Sequence, residues 1–103
     1  MKFIVHATDS AKRDAAEAAG WYESQRPGLG ADFRAEVVAI AKSLGEAALH
    51  HSVRFADVRR AGLRRFRSYG RFYVIRGEAV TIFAIVHSAR NPAWIRHRRN
   101  RLG

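Results

Sequence analysis

Residues 79–94 read AVTIFAIVHSARNPAW, and this stretch carries the clearest structural signals in the chain. Its first part, Ala79 to His87, is apolar at both odd and even positions, so both faces of the predicted strand are apolar. A strand of this kind lies inside a sheet that is covered on both sides. Asn91-Pro92 then supplies an N-cap and a first helical residue, which predicts a short helix that continues through Ala93, Trp94 and Ile95.

Two further strands are predicted before this segment. Leu63 to Arg67 and Arg71 to Arg76 have the length and residue types typical of strands. Short turns at Ser68-Tyr69-Gly70 and Gly77-Glu78 separate them from each other and from the strand that follows. Strands joined by turns this short form an antiparallel meander. Residues 50–62 lose the pattern and are predicted to form a charged loop.

The N-terminal segment predicts a strand and then a helix. Lys2 to His6 is a β-branched and aromatic run, and we expect it to border the last strand, a pairing that the sequence does not fix. Thr8, Asp9 and Ser10 are candidate N-caps for the helix. Its apolar face repeats at helical spacing at Ala11, Ala15, Ala18, Ala19 and Tyr22.

A second helix follows a turn over residues 25–30, which contains Pro27, Gly28 and Gly30. The same helical spacing recurs at Phe33, Val37, Ile40, Ala41 and Leu44. Gly45 is predicted to follow the end of this helix. The whole chain, residues 1–103, is therefore predicted to form a single α+β domain of β-αα-βββ order. Its helical hairpin packs on a mainly antiparallel sheet, and a short helix ends the chain.

Composition excludes several classes of site. The chain has no cysteine, so disulfides and thiolate metal sites are excluded. Its five histidines are scattered without metal-ligand spacing, and we expect neither a metal nor a cofactor. The longest strongly apolar run, Ala79 to Val86, is too short to cross a membrane. Without a signal-peptide pattern at the N-terminus, we expect a cytoplasmic protein and no membrane partner.

Positive charge is concentrated in the second half of the chain. The formal net charge is +10. Residues 51–103 contain thirteen arginines against Asp57 and Glu78, whereas residues 1–50 contain six basic and seven acidic side chains. Arginine presents a planar fork of donors that suits phosphate and carboxylate groups. The sequence therefore predicts a basic surface that binds an acidic partner.

Three stretches, in this order, resemble the RelE/ParE superfamily of type II toxins. Residues 15–33 (AAEAAGWYESQRPGLGADF) resemble its helical hairpin, and residues 58–73 (VRRAGLRRFRSYGRFY) resemble its arginine-rich second and third strands. Residues 84–94 (AIVHSARNPAW) are similar to its last strand and the segment after it. The superfamily often carries Arg-Phe-Pro-Tyr in the second stretch, whereas here Arg65-Phe66 is followed by Arg67-Ser68. The resemblance implies a growth-arresting toxin that a cognate acidic antitoxin protein holds inactive in a heteromeric complex.

One branch of the superfamily cleaves mRNA on the ribosome by letting a 2′-OH attack the adjacent phosphate. That reaction needs a base, an acid and cations for the developing charge. For this branch, the resemblance implies Arg65, Arg67 and Arg71 as catalytic cations. His87, with Arg90 three residues on, is the candidate general acid or base. In the alternative interpretation, His87 is a structural histidine and the three arginines form a solvated face.

The other branch inhibits DNA gyrase and needs no nuclease residues. Its target-binding surface would comprise the basic C-terminal segment and the arginine-rich sheet, with candidates Arg59, Arg60, Tyr73, Trp94, Arg96, Arg98 and Arg99. The chain has no Tyr or Lys after Ile75, whereas nuclease members often place one near the C-terminus. We therefore favour gyrase over the ribosome as the target.

A rival interpretation outside this family is a non-toxic nucleic-acid-binding module. Such a module would bind generic duplex DNA or RNA through its basic face, with a steep dependence on salt. For the nuclease branch, Tyr69 and Tyr73 are candidates to stack on a base, although packing in the core or in the hairpin is the expected alternative. We expect Trp21, Tyr22 and Trp94 in the core or in an interface.

Overall fold

The computed structural model describes residues 2–102. Within them, strands and helices follow one another as β1 (Ile4–Ala7), α1 (Asp9–Gln25), α2 (Leu29–Ala47), β2 (Val53–Phe55), β3 (Val58–Gly62), β4 (Tyr69–Arg76), β5 (Ala79–His87) and α3 (Pro92–Asn100). None of these helices has the length and apolar composition of a membrane-spanning segment.

The strands form a sheet of order β1-β5-β4-β3-β2. β1 runs parallel to β5, which settles the pairing that the sequence left open, and the other neighbouring strands are antiparallel. α1 and α2 cover one face of the sheet, while α3 packs on the other. The predicted α+β fold, with a helical hairpin on a mainly antiparallel sheet and a short C-terminal helix, is confirmed. The sheet has one strand more than predicted.

The helical hairpin packs through the faces that its spacing predicts. Thr8 is the N-cap of α1, because its side-chain oxygen accepts the N–H of Ala11 at 3.1 Å. The four alanines of the predicted face are buried, namely Ala11, Ala15, Ala18 and Ala19. Phe33 and Leu44 are the buried anchors of α2. The small side chains of α1 bring the two helices close together.

The end of α2 differs from the prediction. Gly45 does not terminate the helix, which continues to Ala47 and then into a 3₁₀ turn at Ala48–His50. Side chains from the sheet satisfy the terminal carbonyls: the Tyr73 hydroxyl donates to the Ala48 carbonyl at 2.5 Å, and Arg59 Nη1 donates to that of His51 at 2.7 Å. A helix end with such partners needs no glycine cap.

β5 is covered on both faces, as its sequence predicts. Its buried residues divide between the cluster under the helical hairpin, with Val80, Ile82 and Ile85, and the cluster under α3, with Phe83, Ala84 and Val86. On β4, Phe72 lies opposite Ala84 and Tyr73 lies opposite Ile82, so Phe83 is an extra residue in a β-bulge. The bulge places two successive residues under α3.

The strands before β4 lie elsewhere than predicted. The predicted loop at residues 50–62 contains β2 and β3, while the predicted strand from Leu63 to Arg67 is the connection between β3 and β4. β3 was not recognised in the sequence because Arg59 and Arg60 make it look like a charged loop. Their long apolar stems lie on the sheet, while the Arg59 guanidinium binds the His51 carbonyl and that of Arg60 lies near the Phe72 ring. Apolar residues of the connection pack without joining the sheet: the Phe66 ring lies 4.7 Å from that of Tyr22.

One carboxylate joins three elements of the fold. Asp14 Oδ2, on α1, accepts the backbone N–H of Ile85 on β5 at 3.1 Å. The same oxygen lies 3.0 Å from Arg98 Nη1 on α3, and that nitrogen also donates to the Phe83 carbonyl at 2.9 Å. Ile85 lies beyond the end of β1, whose last pair with β5 is Ala7 with Ile82, so no strand supplies an acceptor for the Ile85 N–H on that side. The Asp14 clamp, formed by Asp14, Ile85, Phe83 and Arg98, therefore fixes α3 to the sheet.

We predict that Asp14→Ala lowers the free energy of unfolding by about 2–4 kcal/mol. It leaves the Arg98 guanidinium and the Ile85 N–H without their partner in a largely buried place. Asp32→Ala is the matched control, because its pair with Arg65 is about half exposed (48% and 54%). That change should cost no more than about 1 kcal/mol. Urea denaturation measures both, and equal losses would contradict the role given to the clamp.

The close approach of α1 and α2 gives a second prediction. A Cβ at Gly30 would lie 2.6 Å from the Ala19 carbonyl oxygen, whereas a Cβ at Gly20 would meet nothing within 4 Å. Gly20→Ala should therefore stabilise the protein by about 0.5–1 kcal/mol through helix propensity. Gly30→Ala should destabilise it, since the helices must move apart. Thermal or urea unfolding measures the change in stability of each variant. The prediction is wrong if both substitutions stabilise the protein or both destabilise it.

Candidate anion-binding groove

The arginines of the C-terminal half divide into two groups. Several are bound within the fold: Arg65 pairs with Asp32, Arg98 with Asp14 and Arg99 with Asp57. Others make no ion pair with a carboxylate in the described part of the chain, among them Arg54, Arg60, Arg90 and Arg96. The second group lies together around one cavity.

This cavity, the arginine groove, lies between α3 and the face of the sheet formed by β2, β3 and β4. It has a volume of about 430 Å³ and is lined by Arg54, Phe55, Arg60, Phe72, Ser88, Arg90, Pro92, Ile95 and Arg96. Four cations thus surround an apolar floor. Over residues 2–102, no carboxylate lines the groove. A second cavity of about 590 Å³ shares Phe55 and Arg96 with it and reaches Asp57 and Arg99.

Arg60 is the most constrained cation of the groove. Its guanidinium lies 5.9 Å from the centre of the Phe72 ring, which is its partner across β3 and β4. It rests over Gly70, where a Cβ would come within 2.6 Å of Arg60 Cζ. Burial, and then the charge of Arg54, lower the pKa of Arg60 below its ordinary value. An anion in the groove would relieve this repulsion.

Aromatic rings also contact the arginines on α3 and on the segment between β5 and α3. Arg96 Cζ lies 4.9 Å from the centre of the Phe55 ring, and Arg90 Cζ lies 4.3 Å from that of Trp94. Arg98, already bound in the Asp14 clamp, lies 4.4 Å from the same tryptophan ring. Cation–π contacts of this kind restrain a guanidinium and leave its N–H donors available.

The chemistry of the groove is that of an oxyanion receptor. Guanidinium groups stay protonated and bind carboxylate or phosphate oxygens in pairs. The residues that line the groove include none with an imidazole, carboxyl, phenol or amine group to take or give a proton. Across the described residues, no three His, Asp or Glu side chains are grouped so as to hold a metal ion. The groove is therefore suited to binding an anion without breaking its bonds.

The nuclease candidates are not brought together. Arg71 is 3% exposed and points toward the helical hairpin, where Nη2 donates to the Val37 carbonyl. Its Nε and Nη1 have no partner among residues 2–102, and burial lowers the pKa of Arg71 to about 10. Arg65 Nη1 is bound to Asp32 at 2.9 Å, Arg67 is exposed on the same connection, and Arg90 lines the arginine groove. In this conformation, Arg71 cannot reach a phosphate.

His87 is exposed at the end of β5. Its Nδ1 accepts the N–H of Ala89 at 2.9 Å, so the neutral imidazole carries its proton on Nε2. In this tautomer Nε2 is a donor, and Nδ1 is already occupied. In this conformation the ring presents Nε2–H as a donor and has no free acceptor nitrogen, which disfavours a general base at this position.

The target-binding candidates divide in the same way. Arg60 and Arg96 line the arginine groove, and Trp94 is half-buried beside Arg90. Arg59, Arg98 and Arg99 are bound internally, by carbonyls of the 3₁₀ turn, by Asp14 and by Asp57. Tyr73 is fully buried, and burial raises the pKa of Tyr73 to about 12. Tyr73 therefore has no exposed surface with which to contact a target in this conformation.

Sequence reasoning missed Arg54, Phe55 and Phe72, which are part of the groove. Arg54 and Phe55 lie on β2, a strand of three residues that is too short to give a periodic pattern. Phe72 was placed on the correct strand, but its direction depends on the register between β3 and β4. The excess of arginine was the available signal, and it did not indicate which arginines meet.

We predict that Arg60→Gln and Arg54→Gln each weaken binding of a polyanion such as heparin about tenfold at low salt, because one guanidinium contact is lost. Arg34→Gln, on the exposed part of the helical hairpin, makes the same change in net charge and should have a much smaller effect. Gly70→Ala should weaken binding without changing the charge, since it displaces Arg60. Equal losses for Arg34→Gln and Arg60→Gln in calorimetric titrations would rule out the groove.

Comparisons with known proteins bear on the fold. No protein-family model matches the sequence, and no curated protein matches it significantly. A chain of the solved structure "Chromosomal ParDE TA system from P. aeruginosa" is similar in structure, with a TM-score of 0.74 and 18% sequence identity. The match covers 84% of this chain and 96% of that chain. The chain thus has the fold found in the P. aeruginosa ParDE system, the fold that its resemblance to the RelE/ParE superfamily implies.

Proposed function

We propose that this protein is the toxin of a type II toxin–antitoxin system, that it arrests growth in the cytoplasm, and that a cognate acidic antitoxin neutralises it. Three observations support the proposal. The fold is that of a chain of the ParDE system, and three stretches of the sequence resemble the RelE/ParE superfamily. The unpaired arginines around the groove give an acidic partner a surface to cover.

Within that class, we propose that the target is DNA gyrase. The observation that carries this choice is the arginine groove, which combines four cations and has no imidazole, carboxyl, phenol or amine group among its lining residues. A nuclease needs an acid and a base beside its cations. Arg71 is buried on the opposite face of the sheet, and His87 has its Nδ1 occupied. Inhibition by binding needs only the cations and the shape of the groove.

In this mechanism the groove holds carboxylate or phosphate groups of the target complex in bidentate contacts with Arg54, Arg60 and Arg96. The apolar floor excludes water, which strengthens each charged contact. No bond is broken and no cofactor or metal takes part. Because the interaction is mainly between charges, inhibition should weaken steeply with salt.

Cleavage of mRNA on the ribosome is the second candidate within the same class. The observation in its favour is that exposed His87 lies beside the Tyr69 ring, 5.4 Å away, with Arg90 near in the chain. Nε2–H of His87 would act there as a donor to a phosphate oxygen. A non-toxic nucleic-acid-binding module is the remaining alternative, and the groove would then bind generic polyanions.

The test is induced expression in a host that lacks an antitoxin. Wild-type protein should arrest growth, Arg60→Gln should relieve the arrest, and Arg34→Gln and His87→Ala should leave it in place. Purified protein should inhibit gyrase supercoiling and leave mRNA on programmed ribosomes uncut. Growth arrest that requires His87 and new mRNA ends would identify the nuclease instead. Normal growth on expression of the wild type would favour the non-toxic module.

A further inference from the structure

Another cavity, separate from those around α3, lies on the helical-hairpin side of the end of β5. This aromatic cleft is lined by Trp21, Tyr22, Ser68, Tyr69 and His87 and has a volume of about 480 Å³. A smaller cavity of about 190 Å³ adjoins it, because both share Trp21, Tyr69 and His87. The gyrase mechanism proposed above uses none of the side chains that line the cleft, and the nuclease candidate uses only His87 and Tyr69.

The walls of the cleft are held by the core. The Tyr22 ring stacks on Phe33 at 5.2 Å, and the Tyr69 ring meets the same phenylalanine edge-on at 5.4 Å. Trp21 contacts Tyr22 at 5.1 Å but remains 56% exposed. The cleft is therefore preformed, with a large aromatic side chain standing at its mouth. Exposed aromatic residues beside a preformed pocket are typical of interface hot spots.

Charge distinguishes the cleft from the arginine groove. The residues of the smaller cavity include Arg90, Glu17 and Asp14, and Asp14 is engaged by the clamp. One cation thus faces one uncommitted carboxylate, and no cluster of guanidinium groups is present among these lining residues. Such a site suits an uncharged aromatic side chain better than a phosphate chain.

The cleft and the groove adjoin at the end of β5. Arg90 lines the smaller cavity and also the arginine groove, while His87 lines the cleft and the next residue, Ser88, lines the groove. A bound segment that crosses this point would meet aromatic rings on one side and guanidinium groups on the other. Its own chemistry must then be aromatic at one position and acidic at its neighbours.

We propose that the aromatic cleft receives an aromatic side chain from an acidic protein segment, whose adjacent carboxylates contact Arg90 and the arginine groove. This inference rests on the proposed function in one respect, since the segment is then part of the antitoxin. The aromatic anchor fixes the register of the segment, and the arginines supply its charge-dependent attraction. A nucleobase is the competing occupant, and an oligothymidylate probe distinguishes it from the aromatic side chain.

The test uses Trp21 as the reporter. Trp94→Phe leaves Trp21 as the remaining tryptophan of the two in the chain. The probes are eight-residue peptides of Glu and Asp with a central Phe, and the same peptides with Ala in its place. Binding of the Phe peptide should shift the Trp21 emission to shorter wavelength and be at least tenfold tighter than that of the Ala peptide. An oligothymidylate is the nucleobase probe.

Anisotropy of labelled peptides on the protein with both tryptophans gives an independent readout. Trp21→Ala should abolish the preference for Phe over Ala, whereas Leu49→Ala, at a residue 55% exposed elsewhere, should preserve it. Equal affinities for the two peptides, or Trp21 quenching by oligothymidylate alone, would overturn the proposal. A protein that is not toxic but prefers the Phe peptide would contradict the proposed function and support the docking site. A toxic protein that binds the two peptides equally would contradict the docking site and leave the proposed function standing.

Discussion

The contact between the Asp14 carboxylate and the end of β5 is the constraint on which the arrangement of this molecule depends. β1 ends opposite Ile82, so β5 continues past that residue with no strand on that side to accept its hydrogen bonds. Asp14 supplies the acceptor that Ile85 needs and binds Arg98 with the same oxygen. One largely buried carboxylate on the first helix thereby links the last helix to β5.

The position of α3 in turn creates the arginine groove. The groove exists because α3 packs through Ile95 onto the face of the sheet that the hairpin leaves uncovered. The same residue type then serves two purposes. Arginines within reach of a carboxylate or a helix-end carbonyl, such as Arg98 and Arg59, hold the fold together. Arginines that meet an aromatic ring and pair with no carboxylate among the described residues, such as Arg60 and Arg96, keep donors for a ligand.

The sequence predicts those parts of the fold in which local pattern and tertiary environment agree. The alanine face of α1, the two-sided β5 and the Asn91 N-cap were all found from spacing and residue type. β3 was missed because Arg59 and Arg60 give a strand the appearance of a charged loop. The connection after it was taken for a strand because Phe66 is apolar, although it packs under the hairpin.

The candidate site was predictable only in its charge. The excess of arginine in residues 51–103 indicates an acidic partner, but it does not separate Arg71, which is buried, from Arg60, which faces the groove. That distinction follows from the register of β3 on β4 and from the position of α3, both of which are fixed by contacts between residues far apart in the chain. Which aromatic residues contact the guanidinium groups likewise depends on tertiary packing, so the sequence does not identify them.

The central claim is that uncompensated arginines meet around one groove and bind oxyanions there. Titration with inorganic phosphate, followed through the Nε–Hε resonances of the arginine side chains by NMR, tests it most directly. The account predicts joint, saturable shifts for four arginines, namely Arg54, Arg60, Arg90 and Arg96. It also predicts little change for Arg13 and Arg34 on the helical hairpin. Shifts of similar size in both groups, or in neither, would contradict it.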